Sequence, residues 1–406
     1  MSDRPRPPLP PGPYLVVGLA RSGAAAARML AAHGEVIGTD SGRPEPPPGI
    51  EAHLESDGVA LLDRVRTVVK SPGVPREAPV VSAALERGLE VIGELELAWR
   101  LIPNRFIAVT GTNGKTTTVE LLGAMHRAAG VSVAVAGNVG TPLASLATEL
   151  DPAAIVVCEV SSFQLEDSSG FAPECAVLLN LEPDHLDRHG DFERYREAKL
   201  RIFANQGPGD IALRPPFSWP AGLDLEPSEL RLRGAHNVDN AKAAAQAALA
   251  TGLPPEAVAR ALREFPGVPH RLEEVAEIGE VLYVNDSKAT NVASAVRGIE
   301  AYEGGVHLIA GGSLKGGGFE GLREAVASRC RACYLMGEAA QALSEDLADT
   351  VPLLPCGNLE EAVEEAAEAA RPGEVVLLSP ACASYDQYRD FEERGEHFRT
   401  LVQKRG

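Results

Sequence analysis

Short apolar runs, glycine turns and alanine-rich stretches alternate along this 406-residue chain. Tyr14-Leu-Val-Val17 leads into Gly18-Leu-Ala-Arg-Ser-Gly23, an alanine-rich stretch to Ala32, and then Glu35-Val-Ile-Gly-Thr-Asp40. A continuous apolar run between turn signals reads as a buried strand and the alanine stretch as a helix, which makes a β-turn-α-β unit. Thr67-Val-Val-Lys70 adds a further strand. The pattern restarts at residues 106–110, 131–136, 154–158 and 176–179, and again at 280–284, 306–310, 332–336 and 374–378. Strands alternating with helices predict an α/β fold with mainly parallel sheets.

The restarts divide the chain into segments 1–99, 100–268 and 269–406, each within or near the roughly 100–200 residues of a domain. Their net charges of −3, −5 and −11 make up the formal −19. None offers the basic surface that displaces counterions from nucleic acid, so nucleic acid is excluded as a partner. No apolar run approaches the roughly 18 residues of a membrane-spanning helix. The start, Met1-Ser-Asp-Arg-Pro-Arg-Pro-Pro8, lacks the apolar core of a secretory signal, so a cytoplasmic enzyme is expected. Six cysteines stand at 158, 175, 330, 333, 356 and 382. Cys330 and Cys333 have no second pair or nearby histidines to complete a zinc site, and reduced thiols are expected. Only seven lysines (70, 115, 199, 242, 288, 315 and 404) accompany 31 arginines. Arginine thus carries the solvated charge. Each lysine raises the question of what a guanidinium is unable to do, such as reacting as a neutral amine.

In the first segment, Asp40 follows Gly18 by 22 residues, the place of a ribose-binding acid. Ala20 replaces the middle glycine of the dinucleotide fingerprint, so the turn reads either as a nucleotide site other than NAD or as a plain tight turn. In the second, Phe106-Ile-Ala-Val-Thr110 runs into Gly111-Thr-Asn-Gly-Lys-Thr-Thr117 and a helix. A glycine turn between strand and helix, closing in Gly-Lys-Thr, is a phosphate cradle. Lys115 would reach the β- and γ-phosphates of ATP and Thr116 would ligate Mg²⁺. Val109 stands where the full-length motif has its first glycine, so this is a shortened variant. The next strands end at Asn138, Glu159 and Asn180 with His185. If all are parallel, Asn138, Glu159 and His185 converge beside the phosphates, where a metal belongs; singly, each is a strand-end cap.

The helix from Asp191 to about Asn205 has an apolar face of Phe192, Tyr195, Ile202 and Phe203, and Lys199 lies on it. Burial there would depress the pKa of the amine and let it take up carbon dioxide as a carbamate, a metal ligand. Snorkelling of the head group to solvent is the other reading. Gly234-Ala-His-Asn237 with Asn240 caps a helix or meets an adenine. Lys288 and Lys315, in loops after strands, would clamp a substrate carboxylate; the other reading is a solvated loop lysine, though this chain uses arginine for solvated charge.

The run Gly111–Thr117 resembles the phosphate loop of Mur ligases and folylpolyglutamate synthetases. Glu159-Val-Ser-Ser-Phe-Gln-Leu-Glu166 and Asn180-Leu-Glu-Pro-Asp-His-Leu-Asp187 are similar to the metal-site motifs of Mur ligases, and Lys199 falls where that family has a carbamylated lysine. Asn285-Asp-Ser-Lys-Ala-Thr-Asn291, Ser379-Pro-Ala-Cys-Ala-Ser-Tyr-Asp-Gln-Tyr388 and Phe391-Glu-Glu-Arg-Gly395 resemble the branch that adds D-glutamate. The resemblance covers the whole chain. It implies a Rossmann-like UDP-substrate domain, a central P-loop ATPase domain with a mainly parallel sheet, and a Rossmann-like domain for the incoming amino acid. It further implies ATP-dependent ligation of D-glutamate to UDP-N-acetylmuramoyl-L-alanine by a monomer, in peptidoglycan synthesis.

Carried over position by position, the UDP-sugar would meet Gly18, Leu19, Ala20, Arg21, Asp40, Ser41, Ser71, Gly73 and Asn138. ATP would lie on Gly111, Thr112, Asn113, Gly114, Lys115, Thr116 and Thr117, with Asn237, Asn240, Arg271 and Asp286 toward the adenosine. Two Mg²⁺ ions, or Mn²⁺ in their place, would use Thr116 and Glu159, and His185 and carbamylated Lys199. D-Glutamate would meet Thr290, Lys315, Ser384, Tyr385 and Phe391. The stretch from Ala212 to Leu232 is short for the family. Rival readings are a folylpolyglutamate-synthetase-like ligase, a nucleotide-gated switch and an NAD-dependent dehydrogenase; Ala20 argues against the last.

Overall fold

The computed structural model describes residues 5–148, 150–232, 234–314 and 318–406. Among these residues the strands form three sheets. The first has the order β3-β2-β1-β4-β5, with β1 Tyr14–Val17, β2 Val36–Asp40, β3 Glu51–Leu54, β4 Thr67–Lys70 and β5 Glu90–Gly93. The second has the order β10-β9-β6-β8-β7, with β6 Phe106–Thr110, β7 Val133–Gly137, β8 Ile155–Glu159, β9 Cys175–Leu178 and β10 Ile211–Leu213. Both are parallel throughout. The third has the order β11-β12-β16-β13-β14-β15. Its strands are β11 Glu273–Ile278, β12 Val281–Asn285, β13 Val306–Gly311, β14 Cys330–Met336, β15 Leu353–Pro355 and β16 Val375–Leu378. It is parallel except for β11, which runs antiparallel to β12.

The chain condenses into two compact units. The first contains residues 1–229 and 239–264, and with them the first two sheets. The second contains residues 230–238 and 265–406 and the third sheet. Within the first unit one apolar core runs through both sheets, joining Val16, Leu19, Leu97, Trp99, Phe106, Val156 and Phe171. Phe171 takes Trp99 and Phe106 edge-on, with ring centroids 6.0 and 6.3 Å away, the arrangement aromatic quadrupoles favour.

Several motif residues serve the fold first. Ser161 and Gln164 close a capping box on the short helix Ser162–Glu166. Asp191 caps Phe192–Leu200 by accepting from the Arg194 amide at 2.9 Å. Asn291 and Asp390 do the same for Val292–Glu300 and Phe391–Gln403. Each satisfies an amide that the first helical turn leaves without a partner. All six cysteines are buried free thiols. No helix among the described residues is long and apolar enough to cross a membrane.

Candidate functional site

In a parallel sheet, loops at the carboxyl ends of strands share one edge. In the second sheet that edge collects the loops after β6, β7, β8 and β9. The turn after β6 is held open by Gly111 at φ +155° and Gly114 at φ +82°. A Cβ on Gly114 would stand 2.1 Å from Asn240 Oδ1, so glycine is required there by both backbone and space. The turn is tied to the loop after β9. The Asn113 amide donates to Asn180 Oδ1 at 2.9 Å and the Thr112 amide to the Asn180 carbonyl at 3.1 Å. The Thr112 hydroxyl pairs with Tyr195 OH at 2.8 Å.

Two ammonium groups meet on one acceptor. Lys115 Nζ donates to the Gly111 carbonyl at 2.9 Å and to that of Thr112 at 3.0 Å. Lys199 Nζ donates to the same Gly111 carbonyl at 2.9 Å and lies 4.7 Å from the centre of the Tyr195 ring. Lys199 is 2% exposed, so the snorkelling reading does not hold. Its pKa falls to about 7, chiefly through burial and next through repulsion by Lys115. An amine near neutrality beside a phosphate loop is nucleophilic enough to react with carbon dioxide.

Thr116 Oγ1 donates to Glu159 Oε2 at 2.7 Å, and Asn138 Nδ2 donates to Glu159 Oε1 at 3.1 Å. A hydroxyl and a carboxylate at the end of a phosphate cradle are hard oxygen donors of the kind Mg²⁺ selects. Among the described residues no cluster of three or more His, Cys, Asp or Glu side chains forms. The donor set fits magnesium and does not suit a soft metal. His185 stands at positive φ (+52°), 3.5 Å from Asp184 and with its ring centroid 5.0 Å from that of Phe163. Its side chain is half-exposed.

The first sheet carries a second concavity. Leu19 and Gly42 donate their amides to the two Asp40 carboxylate oxygens at 2.6 and 2.7 Å. Ser71 Oγ donates to the Gly18 carbonyl at 2.7 Å. Gly18, Asp40, Ser41 and Gly73 line a cavity of about 570 Å³, large enough for part of a nucleotide. Arg21 Nη2 donates to the Gly140 carbonyl at 3.0 Å, two residues beyond Asn138. Ala20 is exposed beside them.

In the second unit, the loops after β12, β13 and β16 meet around Arg394, which the sequence reading passed over inside Phe391–Gly395. Its guanidinium is fully buried and donates to the Ser287 hydroxyl and to the carbonyls of Ser287, Gly311, Cys382 and Ala383. An arginine three residues after a motif phenylalanine was the available signal, but burial is not visible in composition. Lys288 Nζ lies 3.6 Å from the centre of the Phe391 ring. Thr290 is half-buried, Ser384 is buried and Tyr385 is 71% exposed. Lys315 lies outside the described residues. Asn237 is buried in the first turn of the helix Ala235–Ala250 and Arg271 is half-buried.

Asp286 is buried, accepting from Ser379 Oγ at 2.7 Å and from the Leu272 amide at 3.3 Å. Burial raises its pKa to about 7. The folded state therefore holds a proton that the unfolded chain has released, and stability declines as pH rises from the ordinary carboxylate range through about 7. Asp286→Asn is expected to flatten that decline. Melting curves between about pH 5 and 8 check it: a Tm difference between wild type and variant that does not change with pH would refute the assignment.

Comparison with known proteins identifies the family. Residues 109–215 match the Mur ligase middle domain, and residues 270–382 match the Mur ligase glutamate ligase domain. A UDP-N-acetylmuramoylalanine–D-glutamate ligase of Pelotomaculum thermopropionicum is 40% identical, over 96% of each chain. One from Anaeromyxobacter dehalogenans is 41% identical, over 95% of this chain and 96% of the relative. Among solved structures, the UDP-N-acetylmuramate–alanine ligase MurC of Thermotoga maritima superposes with a TM-score of 0.62 at 17% identity, over 97% of this chain and 100% of that one. The MurF ligase of Thermotoga maritima in complex with ADP gives 0.60 at 18% identity, over 92% and 90%. With a phosphate loop built as above and relatives at this level along nearly its whole length, the chain belongs to the Mur ligase family, among the UDP-N-acetylmuramoylalanine–D-glutamate ligases.

Proposed function

We propose that this ATP-dependent ligase joins the amine of D-glutamate to the terminal carboxylate of UDP-N-acetylmuramoyl-L-alanine. The carboxylate attacks the γ-phosphorus of ATP, giving an acyl phosphate and ADP. The amine then attacks the acyl carbon, the C–N bond forms and phosphate leaves. The observation that carries the reading is the pair of ammonium groups, Lys115 and Lys199, on the Gly111 carbonyl beside the Thr116–Glu159 contact.

The amides of Gly111 to Thr117 would cradle the phosphates, with Lys115 moving from loop carbonyls to phosphate oxygens. Thr116 and Glu159 would hold one Mg²⁺ or Mn²⁺, and His185 with carbamylated Lys199 a second. When bound, these cations neutralise charge on the transferring group. To form the carbamate, neutral Lys199 Nζ adds to carbon dioxide; an N–C bond forms and a proton passes to water. Asn138 holds Glu159 in orientation. Asn237, Asn240, Arg271 and Asp286 are assigned to the adenosine. Thr290, Lys315, Ser384, Tyr385 and Phe391 are assigned to D-glutamate. Gly18 to Arg21, Asp40, Ser41, Ser71, Gly73 and Asn138 are assigned to the UDP-sugar. Domain limits are proposed at 99 and 268.

Phosphate release from ATP tests the reaction. It should require both UDP-N-acetylmuramoyl-L-alanine and D-glutamate. Release indifferent to D-glutamate would overturn the ligase reading in favour of a nucleotide-driven switch. Gly73→Ala probes the UDP end. A Cβ there meets nothing within 4 Å, so folding should be untouched. KM for the UDP-substrate should rise by about three- to tenfold, with KM for ATP unchanged. Unaltered KM for the UDP-substrate would remove Gly73 from that site.

A further inference from the structure

Lys70, at the end of β4, has a side chain with no solvent exposure. Its Nζ forms an ion pair with Asp167 Oδ2 at 2.5 Å and donates to the Val74 carbonyl at 2.7 Å. Asp167 belongs to the segment after β8, and its side chain is 2% exposed. Arg188, in the short helix Leu186–His189 that follows β9, donates to the carbonyls of Pro72 at 3.1 Å, Gly73 at 3.4 Å and Val74 at 2.9 Å. Its guanidinium carbon lies 4.2 Å from the centre of the Phe163 ring. Arg76 adds a weaker contact with Asp167 at 3.6 Å. The successive carbonyls of residues 72–74 are thus gripped by cations, and Val74 is shared by two of them.

This geometry has a cost that a mere connection between sheets does not require. A buried ammonium must be desolvated, and such pairs are often no more stable than apolar replacements. In a chain with so few lysines, an ammonium fits where three acceptors converge around one point, here the Asp167 carboxylate, the Val74 carbonyl and, at 3.5 Å, the Ser71 carbonyl. The gripped loop also has a task. Gly73 and Val74 line the cavity that holds Asp40 and Ser41, and Ser71 pins the glycine turn through the Gly18 carbonyl. The central sheet therefore reaches, through Asp167 and Arg188, into the wall of the cavity on the first sheet.

We propose that Lys70, Asp167 and Arg188 are positioning residues that hold the loop Ser71–Val74 in the shape that receives the UDP end of the substrate. The proposal rests on the substrate assignment above. It adds that substrate affinity at the first sheet is set by side chains of the second.

The test uses the full-length protein and two variants. Lys70→Met combined with Asp167→Asn removes both buried charges and strands neither; Arg188→Gln keeps the side chain polar. Each should raise KM for UDP-N-acetylmuramoyl-L-alanine by about tenfold, leaving KM for ATP and for D-glutamate within about twofold. A purely structural role would instead lower the active fraction and leave every KM alone. KM for the UDP-substrate within about twofold of wild type in both variants overturns the proposal. Amide hydrogen exchange across residues 71–76 gives a readout independent of the reaction. Faster exchange in the double variant supports the clamp, and unchanged exchange overturns it. If wild type fails to use the UDP-substrate, the proposed function falls, and exchange alone decides whether the clamp exists.

Discussion

Lys199→Ala is expected to lose at least about 10²-fold in ligation rate, the scale seen when one group that stabilises a transition state is removed. The side chain is buried against Tyr195 and donates to the Gly111 carbonyl. An alanine there removes both a fixed point of the phosphate loop and the amine that would carry the carbamate. The two losses are separable. Wild-type enzyme stripped of carbon dioxide should lose activity and regain it with bicarbonate, because the carbamate is in equilibrium with free amine. Carbon-13 bicarbonate should give a carbamate signal in wild type and none in Lys199→Ala. Recovery should accelerate as pH rises through about 7, where burial and Lys115 place the pKa of this amine. An ordinary exposed lysine would need far higher pH. The same depression means that the unmodified folded protein holds fewer protons than the unfolded chain between about 7 and 10.5, so stability contributed at this site rises with pH across that window. Full activity after removal of carbon dioxide, in wild type that never shows a carbamate signal, would leave Lys199 as a structural lysine.

Gly114→Ala should abolish nucleotide binding while leaving the rest of the protein folded. Its φ of +82° disfavours any side chain, at about 1–2 kcal/mol. The added methyl would also stand 2.1 Å from the Asn240 amide oxygen. Asn240 is buried and has little room to withdraw. The loop must therefore shift at the point where its amides would face phosphate. Stabilisation of wild type by ADP in a melting experiment should vanish in the variant, while the Tm without nucleotide falls by only a few degrees, about what 1–2 kcal/mol produces in a chain of this size. A variant that still gains stability from ADP as wild type does would show that the phosphates lie elsewhere.

The strands that the apolar pattern missed share one property. β3, β5, β10, β11 and β15 all stand at sheet edges. Glu51-Ala-His-Leu54 is partly exposed and interrupted by polar residues, and Ile211-Ala-Leu213, though apolar, is only three residues long, so neither stands out as a strand-length apolar run. Interior strands such as Phe106–Thr110 and Val306–Gly311 are buried at every position and were legible at once. The apolar spacing predicts one helix carrying Lys199 to about Asn205, whereas the α-helix ends at Leu200 and a tight 3-10 turn, Arg201–Phe203, follows.

By itself the sequence determined the α/β class, the strand–glycine turn–helix of residues 106–117, the place of Lys199 on an apolar helix face and the family, because these follow from local period, glycine spacing and long motifs; that Lys199 is buried and does not snorkel was settled by the fold. Only the tertiary structure decided that Lys115 and Lys199 share one carbonyl, that Asn240 closes over Gly114, and that Arg394 gathers three loops. It alone revealed Lys70 paired with Asp167, 97 positions away in the chain. The physical reason is the same for the three that involve charged groups. A buried charge is tolerated only where the fold brings acceptors to it, and those acceptors lie on strand-end loops that parallel crossovers place far apart in sequence and side by side in space.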